Sequence, residues 1–349
     1  MCGTINESLL RLIVAVASLL SRRGVKPALG LLISAIFLYA TFARVPLRQV
    51  GVALGEARPL WIAAALGFVA LAYALKIYRW LTMLRSLGAT IDFREAAIPF
   101  LGGVAFNNVL PLRAGDLIRV LAFQRFTGVP PTGQVGTLAL ERLMDLLVLS
   151  GLLFATISFW QVRALDEALL AGLRLVAAAA VVAVLLFILA PRPIRLIVRW
   201  AEARLPRLRG VGEALLRLSD AVATLSRPLF LLRVAALSLL AWLAEGGVYW
   251  AIGHALGIGG QVQVALLALC VGTLATMIPS SPGYVGTFHY FVARVVGAFG
   301  TGAVAAAAYA VLVHALLWFS TTACGFLALA FSGKGLRNAA SAGAKAERQ

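Results

Sequence analysis

The chain has 349 residues, 61% of them hydrophobic and 13% charged, with a mean hydropathy of +0.93. A soluble domain is nearer half apolar and about one quarter charged, so a water-soluble globule is excluded, as are a disordered chain and a disulfide scaffold. The 31 Lys and Arg against 14 Asp and Glu leave a formal charge of +17. That surplus is scattered between apolar runs with no nucleic-acid motif, so anionic lipid head groups, not nucleic acid, are the expected partner.

The apolar runs are continuous and Ala/Leu-rich, which argues against a β-barrel and for an all-α polytopic membrane protein. In chain order, Leu9–Leu20 is short for a span and predicts an interfacial helix; it follows Glu7 and has no cleavage pattern, so a secretory signal is not expected. Six runs are long enough to cross a bilayer: Pro27–Ala43, Leu60–Tyr78, Thr137–Trp160, Ala168–Ala190, Leu229–Ile252 and Ala303–Phe331. Two more, Ala96–Phe126 and Val262–Gly300, are interrupted by Pro and Gly and predict re-entrant helical hairpins. Cys2, Cys270 and Cys324 lack metal-ligand spacing and read as small hydrophobes.

Charge places the segments. Arg192–Arg227 holds eight arginines against three acids, a net of +5, and reads as cytoplasmic. Arg22, Arg23 and Lys26 mark the N-terminal side, and Lys334, Arg337, Lys345 and Arg348 the tail. All three share one side if six spans cross and each hairpin returns to the side it entered, which predicts a multi-pass cell (inner) membrane protein with both termini cytoplasmic.

An offset of 168 residues places Pro111 on Pro279, Gly115 on Gly283, and two spans on two others. This predicts a single membrane domain, 1–349, made of inverted-topology repeats: repeat 60–160 with hairpin 96–126, and repeat 229–331 with hairpin 262–300. The amphipathic connector 191–228 joins them. Its Val211, Leu215, Leu218, Val222 and Leu225 fall at helical spacing, with Glu213 and Arg217 at i, i+4. A homodimer is compatible with this plan.

Ionisable groups at membrane depth are the candidate site residues. Asn107, Asn108, Arg113, Asp116 and Arg119 surround the first break, where a helix restarting near Ala114 would point free N–H groups at an anion. Asp116 and Arg119, at i, i+3, are expected to neutralise each other. Glu141, Arg142 and Asp145 form a second cluster, either a buried network with the hairpin arginines or a gate. Arg79 reads as a cytoplasmic anchor or a phosphate ligand. Glu245, beside Gly246-Gly247, has no charged neighbour in sequence and reads as a proton-coupling carboxylate or the partner of an arginine from the other repeat. After the second break, Ser280 and Ser281 read as capping or ligand-binding residues, and His289 is the second coupling candidate beside Glu245. No catalytic, metal or cofactor motif occurs, so neither enzyme chemistry nor a metal or cofactor is expected.

Asn-Asn-Val-Leu-Pro-Leu-Arg-Ala-Gly-Asp-Leu-Ile-Arg (107–119), Glu-Arg-Leu-Met-Asp (141–145) and Pro-Ser-Ser-Pro-Gly-Tyr-Val-Gly (279–286) resemble the signature blocks of the lysylphosphatidylglycerol synthase transmembrane-region (flippase-like) family, in the family's order. The resemblance implies movement of a lipid between leaflets, aminoacylated phospholipid in some members, with hopanoid or glycolipid pathways for others. The chain departs from the family pattern at Tyr284, where Gly is usual, and at His289, where an acid is usual. About 18 residues follow the last span, so the soluble aminoacyl-transfer domain of bifunctional members is not expected to act here. The residues themselves leave three readings open: translocation of a phosphate-bearing or polyprenyl (isoprenoid) lipid, a proton-coupled carrier of a small anion, and an intramembrane lipid-modifying enzyme.

Overall fold

A computed structural model describes residues 25–110, 113–122, 127–160, 167–204, 209–278 and 280–346. The expected interfacial helix at Leu9–Leu20, Cys2, Pro111 and Pro279 lie outside them. Among the described residues every regular element is helical. The α-helices are α1 (Val25–Phe42), α2 (Leu47–Gly55), α3 (Pro59–Ser86), α4 (Phe93–Val109), α5 (Ala114–Ala122), α6 (Pro131–Phe159), α7 (Glu167–Leu189), α8 (Pro191–Arg204), α9 (Arg209–Leu225), α10 (Pro228–Ala255), α11 (Val262–Ala275), α12 (Thr287–Ala298) and α13 (Ala303–Ala346).

The starts follow local chemistry. Helices α3, α6, α8 and α10 each open on a proline, whose missing N–H falls where no intrahelical acceptor exists and whose fixed φ suits the first turn. Asp92 caps α4 through a reciprocal pair: the Glu95 N–H donates to Asp92 Oδ1 at 2.8 Å, and the Asp92 N–H donates to Glu95 Oε2 at 2.9 Å.

Three helices are long and apolar enough to cross a bilayer as single rods: α3, α10 and the Ala303–Ser332 part of α13. Two other expected spans are arms of bent pairs. Pro27–Ala43 lies mostly on α1, which meets α2 at 80° across Pro46, and Ala168–Ala190 runs along α7, which meets α8 at 47° before Pro191. Counting each pair as one span gives five. The sixth, Thr137–Trp160, lies on α6, which buries a polar flank of Gln134, Thr137, Glu141, Asp145 and Ser150. The protein is a multi-pass membrane protein, with Leu60, Leu229, Phe159 and Phe319 among its outward-facing apolar side chains.

Helices α3 and α10 lie antiparallel. The Arg58 N–H at the start of α3 donates to the Ala255 carbonyl at the end of α10 (2.9 Å), and Arg233 near the start of α10 donates to the Tyr78 hydroxyl (3.2 Å). Two apolar clusters flank the middle of this pair. One gathers Val69, Leu149, Leu153, Tyr249, Ile252, Leu267, Phe288 and Val292; the other gathers Trp80, Leu84, Phe100, Leu140, Met144 and Val234. Along α3, α6 and α10 the charged residues are interleaved with these clusters: Arg79 beside Trp80, Glu141 between Leu140 and Met144, and Glu245 between Trp242 and Val248.

Each interrupted stretch folds as a helical hairpin, α4 with α5 and α11 with α12. Arg113 (φ 54°) and Tyr284 (φ 58°), one in each break, are the two non-glycine residues with left-handed backbone among the described residues. Gly115 lets α5 close onto α4: a Cβ there would lie 2.5 Å from the Asn107 nitrogen and 2.8 Å from Asn107 Oδ1, and closer still to the Gly103 carbonyl. In the connector, α9 turns Ala221, Val222 and Leu225 inward against α6, and Glu213 pairs with Arg217 at 3.3 Å. Leu215, expected on that buried face, is exposed, and the side chain of Val211 lies outside the described residues.

Gly115→Ala forces a methyl onto backbone and is expected to cost about 1–3 kcal/mol, whereas Gly151→Ala, with nothing within 4 Å of its Cβ, stays within about 1 kcal/mol of the parent. Thermal melts of the two purified variants in detergent check this; equal melting points would contradict the contact.

Candidate functional site

The charged residues of the two sequence clusters come together around one cavity of about 190 Å³, bounded by α3, α4, α5, α6, α10, α11 and the second hairpin's turn. Arg79, Asn107, Asn108, Arg113, Asp116, Arg119, Glu141, Arg142, Asp145 and Glu245 all line it. Five formal positive charges (with Lys76) therefore face four negative ones.

Arg79 is the centre of the deeper half. Its side chain is 1% exposed; Nη1 donates to Asp145 Oδ1 at 2.5 Å and to Ser238 Oγ at 2.7 Å, and Nη2 lies 3.8 Å from Glu141 Oε1. An anchor at the membrane surface is therefore the wrong reading: the helix carries Arg79 inward, toward α6 and α10. Trp242 Nε1 also donates to Asp145 Oδ1, at 3.0 Å. Asp145 thus accepts from two directions.

Arg119 donates to both oxygens of Glu141 at 3.3 Å, and its guanidinium sits 5.0 Å from the ring centres of Trp80 and of Phe100. Planar delocalised charge suits both kinds of contact. Arg142, with its side chain 40% exposed, reaches Asp116 at 3.2 Å, Glu141 at 3.3 Å and Asp145 at 3.7 Å. The expected pairing of Asp116 with Arg119 along α5 is not made. Each residue instead turns to α6, where a cross-helix partner satisfies it and also holds the hairpin down.

Glu245 is not solitary. Lys76 Nζ lies 2.5 Å from Glu245 Oε2, and stands 4.1 Å from the Trp242 ring and 5.0 Å from the Tyr73 ring. The pair crosses from α3 to α10, so separation in sequence concealed it. Lys76 itself was legible: it is a lone lysine in an apolar run, three residues before Arg79 and so on the same helical face.

The hairpin tips lean on each other through Arg113. Its Nε donates to the Tyr284 hydroxyl at 3.0 Å and its Nη2 to Thr276 Oγ1 at 3.2 Å, with the guanidinium 5.7 Å from the Tyr284 ring centre. Asn107 ties α4 to α5: its Oδ1 accepts from the Asp116 N–H at 3.1 Å and its Nδ2 donates to Asp116 Oδ1 at 2.9 Å. One of the N–H groups expected to greet an anion is therefore already taken. Asn108 turns its amide to Thr321 and Thr322 of α13, while its carbonyl accepts from Trp318 Nε1.

Ser280, Ser281 and His289 do not line the cavity. Ser280 accepts from Thr287 Oγ1 at 3.2 Å; the Ser281 N–H donates to Ser34 Oγ at 2.8 Å. His289 Nδ1 accepts from the Gly286 N–H at 3.3 Å, and its ring lies 4.6 Å from that of His314, whose Nε2 donates to the Gly283 carbonyl at 2.7 Å. These groups hold the second turn's shape. Among the described residues no three His, Cys, Asp or Glu side chains gather as a metal site would require.

The sequence profile of the lysylphosphatidylglycerol synthase TM region matches residues 28–325, which takes in both hairpins and every residue of the cavity. The chain belongs to this family. A curated relative, the glycosyltransferase AglD of Haloferax volcanii, is 28% identical over 333 residues. That match takes in 84% of this chain and 52% of AglD, so this family member spans about half the length of the curated relative it matches.

Breaking a buried ion pair costs about 3–5 kcal/mol because the surviving charge is left unopposed, while removing both partners is far milder. For this family member, Lys76→Met and Glu245→Gln are each expected to lower the melting temperature sharply, and the double variant to sit closer to the parent than either. Additive losses in such a cycle would mean the two side chains do not interact.

Proposed function

We propose that the protein moves a phosphate-bearing or polyprenyl lipid between the leaflets of the cell membrane. The polar head would cross through the charged cavity while the tails remain in the bilayer. The observation that carries this reading is the cavity itself: nine ionisable side chains, cations in excess, line a space of about 190 Å³ where the breaks of two helical hairpins meet. Charge at membrane depth is costly to maintain, and a purely structural bundle gains nothing by gathering it around a cavity.

The antiparallel course of α3 and α10 is what an inverted repeat requires of its corresponding spans, and such repeats hold their substrates between the halves. On this plan the hairpins enter from opposite faces and both termini are cytoplasmic. Membership of a lipid-related family points in the same direction. The partner is the membrane's own anionic lipid, and the chain performs no chemistry on it.

The relative's name favours a second reading, an enzyme transferring sugar to a lipid. Against it stands the state of the carboxylates. Asp116, Glu141, Asp145 and Glu245 each face a cation within 3.3 Å, so every carboxylate of the cavity is already engaged in an ion pair. The pairing of Glu245 likewise removes the solitary acid on which a proton-coupled anion carrier would depend.

In liposomes containing the purified chain, tail-labelled lipids should become accessible to a membrane-impermeant quencher at least about tenfold faster than in empty vesicles, and Arg113→Ala should lose that gain at an unchanged melting temperature. Equal rates with and without protein, for anionic, zwitterionic and polyprenyl lipids alike, would remove the translocation reading. Release of a glycosylated lipid by the pure protein would install the enzymatic one.

A further inference from the structure

The cavity's charges do not cancel, and the residue left over is identifiable. Four of its five cations lie against carboxylates: Lys76 with Glu245, Arg79 with Asp145, Arg119 with Glu141, and Arg142 with Asp116. Arg113 is the exception. No carboxylate among the described residues lies within ion-pair distance of it, and its hydrogen bonds go to two neutral acceptors, the Tyr284 hydroxyl and Thr276 Oγ1. It is also the cation placed in the break between α4 and α5, with a left-handed backbone that aims it across to the other hairpin.

We propose that the cavity selects a head group carrying one negative charge, a phosphodiester, and that Arg113 is the residue that receives it. The proposal rests on the translocation reading and names its substrate class.

The argument is electrostatic. An unopposed charge in a low-dielectric site costs several kcal/mol. With one monoanion bound, the layer is neutral. A zwitterionic head leaves Arg113 unopposed. A phosphomonoester, at about −1.5 to −2 near neutral pH, or a pyrophosphate adds negative charge that no cation is free to meet. Exchange at Arg113 is favourable for an anion, because a hydrogen bond to a charged acceptor is about twice as strong as one to a neutral acceptor. A phosphodiester oxygen therefore displaces Tyr284 or Thr276 at a net gain, and in doing so releases the contact that holds the two hairpin tips together.

The experiment compares three lipids with the same labelled tails in vesicles containing the full-length chain: phosphatidylglycerol, phosphatidylcholine and phosphatidic acid. The diester monoanion should move at least about tenfold faster than either of the others, a difference of about 1.4 kcal/mol. Arg113→Gln should bring all three within about threefold of one another. Asp116→Asn removes one of the three carboxylates around Arg142 and raises the surplus of the layer by one positive charge, so it should shift the preference toward phosphatidic acid. Equal rates for the three lipids with the parent chain, or retention of the preference in Arg113→Gln, would overturn the proposal while leaving translocation standing. No transport of any lipid would instead remove the reading beneath it. A final arm adds soluble glycerophosphoglycerol at millimolar concentration: failure to compete supports a lipid as the source of the phosphodiester, and its own uptake into the vesicles would overturn that assignment.

Discussion

Charge neutralisation inside a low-dielectric medium governs this structure. Each ionised group at membrane depth must find an opposite charge or a dense set of donors, since water is not there to solvate it. The cluster meets that demand across helices. Arg79 on α3 needs Asp145 on α6, Arg119 on α5 needs Glu141 on α6, and Lys76 on α3 needs Glu245 on α10. Four helices are thereby held at fixed depth relative to one another. Apolar packing alone would not do this, because lipid tails compete with side chains for apolar contact. The ordinary hydrophobic clusters around the charged residues fill space, and the ion pairs set register.

The hairpin turns answer a second demand, that broken backbone at such depth be satisfied. A left-handed non-glycine residue costs on the order of 1–3 kcal/mol and persists only where its surroundings require it. Here two such residues, Arg113 and Tyr284, hydrogen-bond to each other across the junction. Strain in one turn is offset by a contact with the other. Asn107 performs a similar service within the first hairpin, closing α5 onto α4 through Asp116. His289 of the second hairpin and His314 of α13 both hydrogen-bond to backbone in the second turn, at Gly286 and Gly283.

Much of this was legible in the sequence. Hydropathy marked the helices, Pro and Gly marked both breaks, and scarcity of charge made every ionisable residue in an apolar run a marker of the cavity. What sequence did not disclose was partnership. Local spacing joined Asp116 to Arg119, yet both reach α6, because a helix face buried against a neighbour takes its partners from that neighbour. Glu245 looked solitary for the same reason: its cation is 169 residues away. Bends were equally hidden. The run from Pro27 reads as one span, and the 80° turn after α1 becomes visible only when Pro46 is set against the packing of α2 on α13. Ser280, Ser281 and His289 carried the polar chemistry of a ligand site but spend it on their own turn.

The antiparallel pair α3 and α10 is pinned in two places: at one end by the Arg58 amide on Ala255, and within one turn of α3 by Lys76 on Glu245, Arg79 on Ser238 and Arg233 on Tyr78. Sliding one helix past the other by a single turn, about 5.4 Å, would sever every one of these at once. The pair therefore behaves as a rigid mast. Compliance is left to the tips, where one guanidinium grips two uncharged oxygens and can let go of them at small cost.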